Sequence, residues 1–200
     1  MHSVSRLCAA IAGVVVVGVI AGCSGSTEGS ATPESRPAPS PSNAAPTIAQ
    51  PLPASLIQGD PCTVLTPAQI GTLFTGTPTR TPVATDSGVA KYCSWGDDAR
   101  GSLIAIQLVY AWKHGLADVY AKRGQGFFKE LAPVQGYPVV AYGPSDERAR
   151  GMCSVAIGIA DNAAFEADAT VGRSAVGKGD PCDDARKVAD LAVTTLKGDA

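Results

Sequence analysis

The chain has 200 residues, of which 45% are hydrophobic and 17% charged, and its formal net charge is −2, with 16 basic and 18 acidic side chains. The charges are spread along the sequence without long runs, so the chain lacks the strong electrostatic field that recruits nucleic acid or an anionic membrane. No nucleic-acid partner is therefore expected.

The first segment is typical of protein export. Arg6 precedes an apolar stretch over residues 7–22, and Ile20-Ala21-Gly22-Cys23 ends this stretch in the order of a bacterial lipobox. The stretch has about 16 residues, fewer than the ~20 that a transmembrane helix needs. Residues 1–22 are therefore interpreted as a lipoprotein signal peptide, with Cys23 as the lipidated first residue of the mature protein. An ordinary secretory signal cut just before this cysteine is the alternative.

A lipidated Cys23 determines the expected location. Two or three acyl chains hold a protein stably on a bilayer, so the protein is expected on the extracytoplasmic face of the cell membrane, with the membrane as a partner through these chains. Residues 23–57 are rich in Pro, Ser and Ala and lack aromatic side chains. Such a segment cannot build a core and is predicted to be a tether. Residues 58–200 have the size of one globular domain.

Four cysteines remain once Cys8 and Cys23 are assigned to the signal peptide and the lipid. An even number of cysteines in an exported domain predicts two disulfides. Three pairings are possible, and the sequence alone does not choose between them. Within residues 58–200, Gly-Asp-Pro-Cys and Cys-Ser each occur twice, which favours pairing Cys62 with Cys93 and Cys153 with Cys182. The alternative, a four-thiolate zinc site, lacks a Cys-x-x-Cys pair, so no metal is expected.

The predicted elements alternate short helices with groups of strands. Thr66-Pro67-Ala68-Gln69 has the residues of a capping box and begins a helix that stops by Gly76. A second helix is predicted over 116–122, and a third begins with Asp180 as N-cap and Pro181 as its first residue. Strands are predicted over 92–95, 103–110, 129–134, 138–142, 152–160 and 164–171.

Strands that follow one another without a helix between them pair antiparallel. The order of elements therefore predicts an α+β fold. We expect a single domain with a twisted antiparallel sheet of about six strands and helices packed on it. The last predicted helix would pack through Val188, Leu191, Ala192 and Leu196.

Five short stretches resemble a known family: Asp60-Pro61-Cys62, Cys93-Ser94-Trp95, Val134-Gln135-Gly136-Tyr137, Cys153 and Asp180-Pro181-Cys182. Together they resemble a family of actinobacterial lipoproteins of unknown function, the LprB and LprC group. The resemblance covers nearly the whole mature domain. It implies a lipid-anchored envelope protein with two disulfides and a sheet-and-helix architecture similar to Mog-type and PsbP-type folds. It implies no reaction.

Several residue patterns offer candidate chemistry. Residues 172–178 have the spacing of a phosphate-binding loop, but Gly179 stands where that loop needs Ser or Thr to hold magnesium. A simple link between a strand and the last helix is therefore expected. Asp97 and Asp98 follow a predicted strand, where a turn is more common than paired carboxylates or cation ligands. Asp146 and Glu147 are interpreted in the same way.

His114 is the only histidine outside the signal peptide. Any Ser-His-Asp or Cys-His arrangement must use it, but its neighbours Lys113 and Gly115 indicate an exposed turn. The aromatic residues are expected mainly in the core, although they are also able to line a small-molecule cleft. Trp112 is expected to be exposed beside His114, and these two residues form a possible contact surface.

Three function hypotheses follow. The first is a non-catalytic binding or accessory module of the cell envelope, with an envelope protein, a cell-wall component or a lipid as partner and without a cofactor. The second is a carrier of a lipid or other apolar ligand, which requires an apolar pocket of at least about 300 Å³. The third is a hydrolase that uses His114.

Overall fold

The computed structural model describes residues 44–198, so the expected signal peptide, Cys23 and most of the expected tether lie outside the described residues. Within them, seven strands form one antiparallel sheet in the order β1-β2-β3-β7-β6-β5-β4. The strands are β1 (Thr85–Asp86), β2 (Lys91–Asp97), β3 (Ser102–Leu108), β4 (Phe127–Val134), β5 (Tyr137–Gly143), β6 (Met152–Ala160) and β7 (Ala163–Thr170).

The predicted α+β class, with helices on an antiparallel sheet, is confirmed. Strands β4 to β7 follow one another as a meander, and β7 then pairs with β3 in the middle of the sheet. The additional strand, β1, has only two residues. It is too short to show the alternation of polar and apolar residues from which strands are predicted.

The α-helices are α1 (Pro67–Leu73), α2 (Ala117–Tyr120) and α3 (Pro181–Leu196). The predicted capping box at α1 is present, since Gln69 N–H donates to Thr66 Oγ1 over 3.2 Å and Thr66 N–H donates to Gln69 Oε1 over 2.7 Å. The predicted N-cap of α3 is present too, with Cys182 N–H donating to Asp180 Oδ1 over 3.0 Å. Helix α2 is a single turn, shorter than predicted.

The main core lies between one face of the sheet and α3. Alternate residues of each central strand point into it, as in Ile104 and Ile106 of β3 and Val155 and Ile157 of β6. The buried side of α3 is small, because three of its positions are alanine. Small side chains let a helix approach a sheet closely, which explains why these positions pack so well against β6 and β7. The fully buried residues of α3 are Ala185, Val188, Ala189, Ala192 and Val193.

The second face of the sheet is partly covered by the segment that follows β3. Trp112, Leu116 and Tyr120 pack there in a second hydrophobic cluster. Trp112 is only 8% exposed, and its ring meets that of Tyr142 edge to face at 5.8 Å. The expected exposure of Trp112 is therefore wrong. Its polar neighbours in sequence suggested a surface position, but the segment folds back and turns the indole onto the sheet.

Both favoured disulfide pairings are confirmed. Cys62 is bonded to Cys93 and Cys153 to Cys182. The first bond joins the segment before α1 to β2. The second joins β6 to the first turn of α3 and so fixes that helix to the sheet.

The boundary between tether and domain differs from the expected 57/58. Ile48 and Ile57 are 8% and 6% exposed, and Leu52 N–H donates to Ile159 O over 2.8 Å. Three isolated aliphatic residues thus hold this proline-rich stretch against the sheet. These three residues are too few to change the average composition of the stretch, so its composition alone does not reveal them. Among residues 44–198, no helix is both long and apolar enough to cross a membrane.

Candidate functional site

The turn between β2 and β3 gathers charged side chains at one end of the sheet. Asp97 is only 1% exposed and accepts hydrogen bonds from Arg100 N (3.2 Å) and Arg100 Nη1 (2.5 Å). The side chain of Arg100 holds the pKa of Asp97 below its ordinary value. Asp98 pairs instead with Arg80, Nη2 to Oδ1 at 2.7 Å. Asp97 is the last residue of β2 and Asp98 begins the turn that follows, and each pairs with a different arginine.

A pocket of about 260 Å³ lies beside this turn, between α3 and the adjoining ends of β3 and β7. We call it the basic pocket, because two cationic side chains stand at its wall among four hydroxyl groups and one carboxyl group. Its apolar lining includes Ile104, Ala169 and Val188. The polar lining residues are Arg100, Lys187, Thr75, Ser102, Thr170, Ser174 and Asp184.

A second, more open cavity of about 620 Å³ lies on the other side of the end of α1. We call it the apolar groove. Ile70 and Phe74 form one side, Trp95 lies at its base, and Arg80 stands at its edge. Trp95 is 3% exposed, so it belongs to the core and presents only a small part of its ring to the groove.

Phe74 and Thr75 line both cavities. They directly follow α1, which ends at Leu73, and the chain there leaves the helix in extended conformation at Phe74. The basic pocket and the apolar groove are therefore neighbours separated by one short piece of backbone and its side chains. One of these adjoining cavities has charged side chains in its lining, and the other is lined mainly by apolar residues.

The glycine at position 76 makes room for Arg100. A Cβ at Gly76 would lie 2.8 Å from Arg100 Nη1. Since a contact below 3.0 Å forces atoms apart, a side chain at Gly76 would displace the Arg100 guanidinium. Glycine at position 76 therefore leaves the Arg100 guanidinium free to bind Asp97 and to line the basic pocket.

The charge of the basic pocket depends on Asp184. Lys187, one helical turn away, donates from Nζ to Thr72 O over 3.2 Å. Burial raises the pKa of Asp184, Lys187 lowers it, and Asp183 raises it, with a net increase. The pocket consequently becomes more positive as the pH falls through the pKa of Asp184.

Residues 172–178 form the link that was expected. Arg173–Ala175 is a short 3₁₀-helix between β7 and α3. The backbone N–H of Arg173 donates to Arg100 O (3.0 Å) and that of Ala175 to Gly172 O (2.8 Å). A phosphate-binding loop presents such N–H groups to its ligand, whereas here they bind the protein itself.

A polar cluster lies on the second face of the sheet, on the four neighbouring strands β3, β7, β6 and β5. Gln107 Nε2 donates to Glu166 Oε1 (3.1 Å) and to Asp168 Oδ2 (2.8 Å). Tyr142 donates to the other oxygen of Glu166, and Ser154 Oγ donates to Asp168 Oδ1 over 2.5 Å. Among residues 44–198, neither carboxyl group takes part in an ion pair.

The environment of Glu166 favours its protonated form. Burial raises the pKa of Glu166 well above its ordinary value, and the charge of Asp168 raises it further. Burial and the nearby Glu166 also raise the pKa of Tyr142. The cluster is therefore a pair of carboxyl groups in which burial and the neighbouring charge favour the protonated form of Glu166. Sequence reasoning missed it, although Glu166 and Asp168 alternate with alanines in β7 and so share a face.

His114 is exposed, as expected, with 78% of its side chain accessible. Its Nδ1 lies 3.0 Å from Asp118 Oδ1, one turn further along the chain. The structure does not join His114 to Trp112 in one surface, since Trp112 is buried. The loop residues Asp146 and Glu147 bind Arg148 and Arg150. In the described part of the chain, no group of three or more His, Cys, Asp or Glu side chains is arranged to hold a metal ion.

Comparison with known families identifies one match. The model of the family described as Protein of unknown function (DUF3558) matches residues 18–195, which include almost all of the described domain. The chain belongs to the DUF3558 family. Comparison with curated proteins and with solved structures finds no match. The DUF3558 description states no activity, so the function of this domain has to be argued from its geometry.

Proposed function

We propose that this DUF3558 protein is a cell-envelope lipoprotein of the actinobacterial type, anchored through Cys23 to the outer face of the cytoplasmic membrane, and that its domain is a non-catalytic binding module. The lipobox ending at Cys23 supports the anchoring. The observation that supports binding is the pair of adjoining cavities, the basic pocket and the apolar groove, which share Phe74 and Thr75. Binding sites are typically concave and largely apolar, with a few polar groups that orient the ligand.

The anchoring is tested by the variant Cys23→Ala. Membranes from cells that express the wild type or this variant are separated from soluble material without detergent, and the intact mass of the protein is measured. We expect the wild type in the membrane fraction with the added mass of its acyl chains, and the variant in the soluble fraction. Equal sedimentation of the two proteins with membranes would contradict lipid anchoring.

The binding function is tested by crosslinking in intact cells. A photoreactive amino acid is placed at Thr75, which lies between the two cavities and is exposed. The matched control is Val89, which is 55% exposed and precedes β2 at the other end of that strand. We expect a defined adduct from position 75 that is absent from position 89. The same adducts from both positions would place binding elsewhere, and conversion of the captured molecule by the purified domain would contradict a non-catalytic role.

A further inference from the structure

We propose that the basic pocket and the apolar groove form one site for an anionic amphiphile, whose head group lies in the pocket and whose hydrocarbon chain lies in the groove. This inference rests on the proposed binding function and names the class of ligand. It depends on three features: the N–H and O–H donors of the pocket, the lining of the groove, and the shared residues that join them.

The pocket offers donors suited to an anionic head group. Lys187 uses one N–H of its ammonium group for Thr72 O, and Arg100 uses Nη1 for Asp97. An ammonium group has three N–H donors and a guanidinium has five. Both groups thus have donors left over for an anion, and the hydroxyls of Ser102 and Ser174 stand beside them. Asp97 pairs with Arg100, and Asp184 lies among the lining residues, so an anionic group would be held by directed N–H and O–H donors rather than by a net positive charge.

The groove offers a surface for a hydrocarbon chain. Its sides carry Ile70, Phe74 and Pro67, and Trp95 lies at its base. Each methylene that leaves water strengthens binding roughly fourfold. An apolar chain in the groove therefore adds most of the affinity, while the head group decides the orientation.

The two cavities adjoin each other, since Phe74 and Thr75 belong to the lining of each. In the proposed complex the head group meets Lys187 in the basic pocket, and the chain lies beside Gly71 in the apolar groove. No heavy atom lies within 4 Å of a Cβ built at Gly71, so the groove is open at this point.

The ligand class is tested by calorimetric titration with decyl phosphate below its micelle concentration. Decanol has the same chain without the charge, and inorganic phosphate has the charge without the chain. We expect decyl phosphate to bind at least tenfold more tightly than either comparator, because only it reaches both cavities. Decanol binding as tightly as decyl phosphate, or phosphate alone binding as tightly, would overturn the proposal.

Two pairs of variants locate the site. Gly71→Phe fills the groove, and Gly71→Ala is its control, because alanine also replaces the helical glycine by a better helix former but does not fill the space. Lys187→Gln removes a head-group cation, and Lys122→Gln removes an exposed cation outside both cavities. We expect Gly71→Phe and Lys187→Gln each to weaken decyl phosphate binding about tenfold, and the two controls to retain it. Unchanged binding in both test variants would overturn the proposal.

The crosslinking at position 75 and the titration with decyl phosphate together distinguish failure of this inference from failure of the proposed function. If position 75 captures a cellular molecule but decyl phosphate does not bind to the purified protein, the binding function stands and the amphiphile is the wrong ligand class. If neither is observed, both proposals fail. Circular dichroism of each variant at the titration temperature establishes that it is folded, so that lost binding reports on the site.

Discussion

The carboxyl group of Asp184 controls the charge that a ligand meets in the basic pocket. The charged groups near it are Lys187 and Asp183 on its own helix and Arg100 in the β2–β3 turn. Its pKa is raised, with burial as the largest cause. As the pH falls from neutral through this raised pKa, the carboxylate is protonated, and its repulsion of an anionic head group disappears.

Binding of an anionic amphiphile is therefore predicted to strengthen as the pH is lowered through the raised pKa of Asp184. Decyl sulfate is the suitable probe, because its head group keeps a single negative charge over this range. The variant Asp184→Asn is expected to bind severalfold more tightly at pH 7 and to lose most of the pH dependence. Titration calorimetry at several pH values checks this. A variant with the pH dependence of the wild type would show that another group is responsible.

Glu166 is predicted to make the stability of the domain depend on pH. Its folded-state pKa is raised above that of the unfolded chain. The unfolded state then releases a proton at lower pH than the folded state, so stability is greatest below the unfolded pKa and falls as the pH rises toward the folded pKa. Glutamine at this position keeps the hydrogen-bonding shape of a protonated carboxyl group and does not ionise.

Glu166→Gln is expected to be about as stable as the wild type at pH 4 and on the order of 1 kcal/mol more stable at pH 7. Urea unfolding at the two pH values measures this difference. Glu130→Gln serves as a comparison, because Glu130 is an exposed carboxyl group on β4 that pairs with Arg123. If the free energy of unfolding of Glu166→Gln changes with pH as that of the wild type does, the protonation of Glu166 is not the cause of the pH dependence.

At the scale of single elements, the N-terminus of α3 illustrates what local sequence determines. Asp180 Oδ1 accepts a hydrogen bond from the N–H of Cys182. The other oxygen, Oδ2, lies 3.4 Å from Arg148 Nη1 and 3.6 Å from Lys129 Nζ. Asp180→Ala is expected to cost about 1 kcal/mol of stability, because it removes the cap of the helix. Asp180→Asn keeps an oxygen for the cap and is expected to lose less than half of that. Thermal unfolding compares the two, and equal losses would assign the effect to the ion pairs instead.

The elements that are predicted correctly from the sequence are those whose characteristic residues lie close together in the chain. The capping box of Thr66 and Gln69 and the Asp-Pro start of α3 involve residues within three positions of one another, so a single sequence shows them. The strand β1 and the folded part of the tether have no such signal. They are ordered by contacts with distant residues, as in the hydrogen bond from Leu52 to Ile159.

The same reason explains why the candidate site was not predicted. Arg80, Arg100 and Lys187 are far apart in the sequence and meet only through the order of the strands and the position of α3. The prediction for Trp112 was wrong for the opposite reason, because it relied on the local sequence. Its neighbours suggested exposure, but tertiary packing on Tyr142 decided its place.

At the scale of the whole molecule, the two disulfides are expected to contribute much of the stability. They close loops with sequence separations of 31 and 29 residues. Loops of this length correspond to about 3 to 4 kcal/mol each in the chain-entropy model. The double variant Cys153→Ala/Cys182→Ala is predicted to lose about this amount, measured by urea unfolding against the wild type. A loss well below 1 kcal/mol would show that α3 is held by its packing alone.

The basic pocket lies at the end of the sheet that is far from the first described residues, and this position determines where a bound molecule would leave the domain. The first described residues contact Asp161 and Ile159 beside the β6–β7 hairpin, whereas the basic pocket includes Thr170 at the far end of β7. This strand has eight residues and spans roughly 25 Å. A molecule leaving the cavities is thus released at the pole of the domain remote from residue 44. Such polarity favours exchange with an acceptor that approaches from that pole.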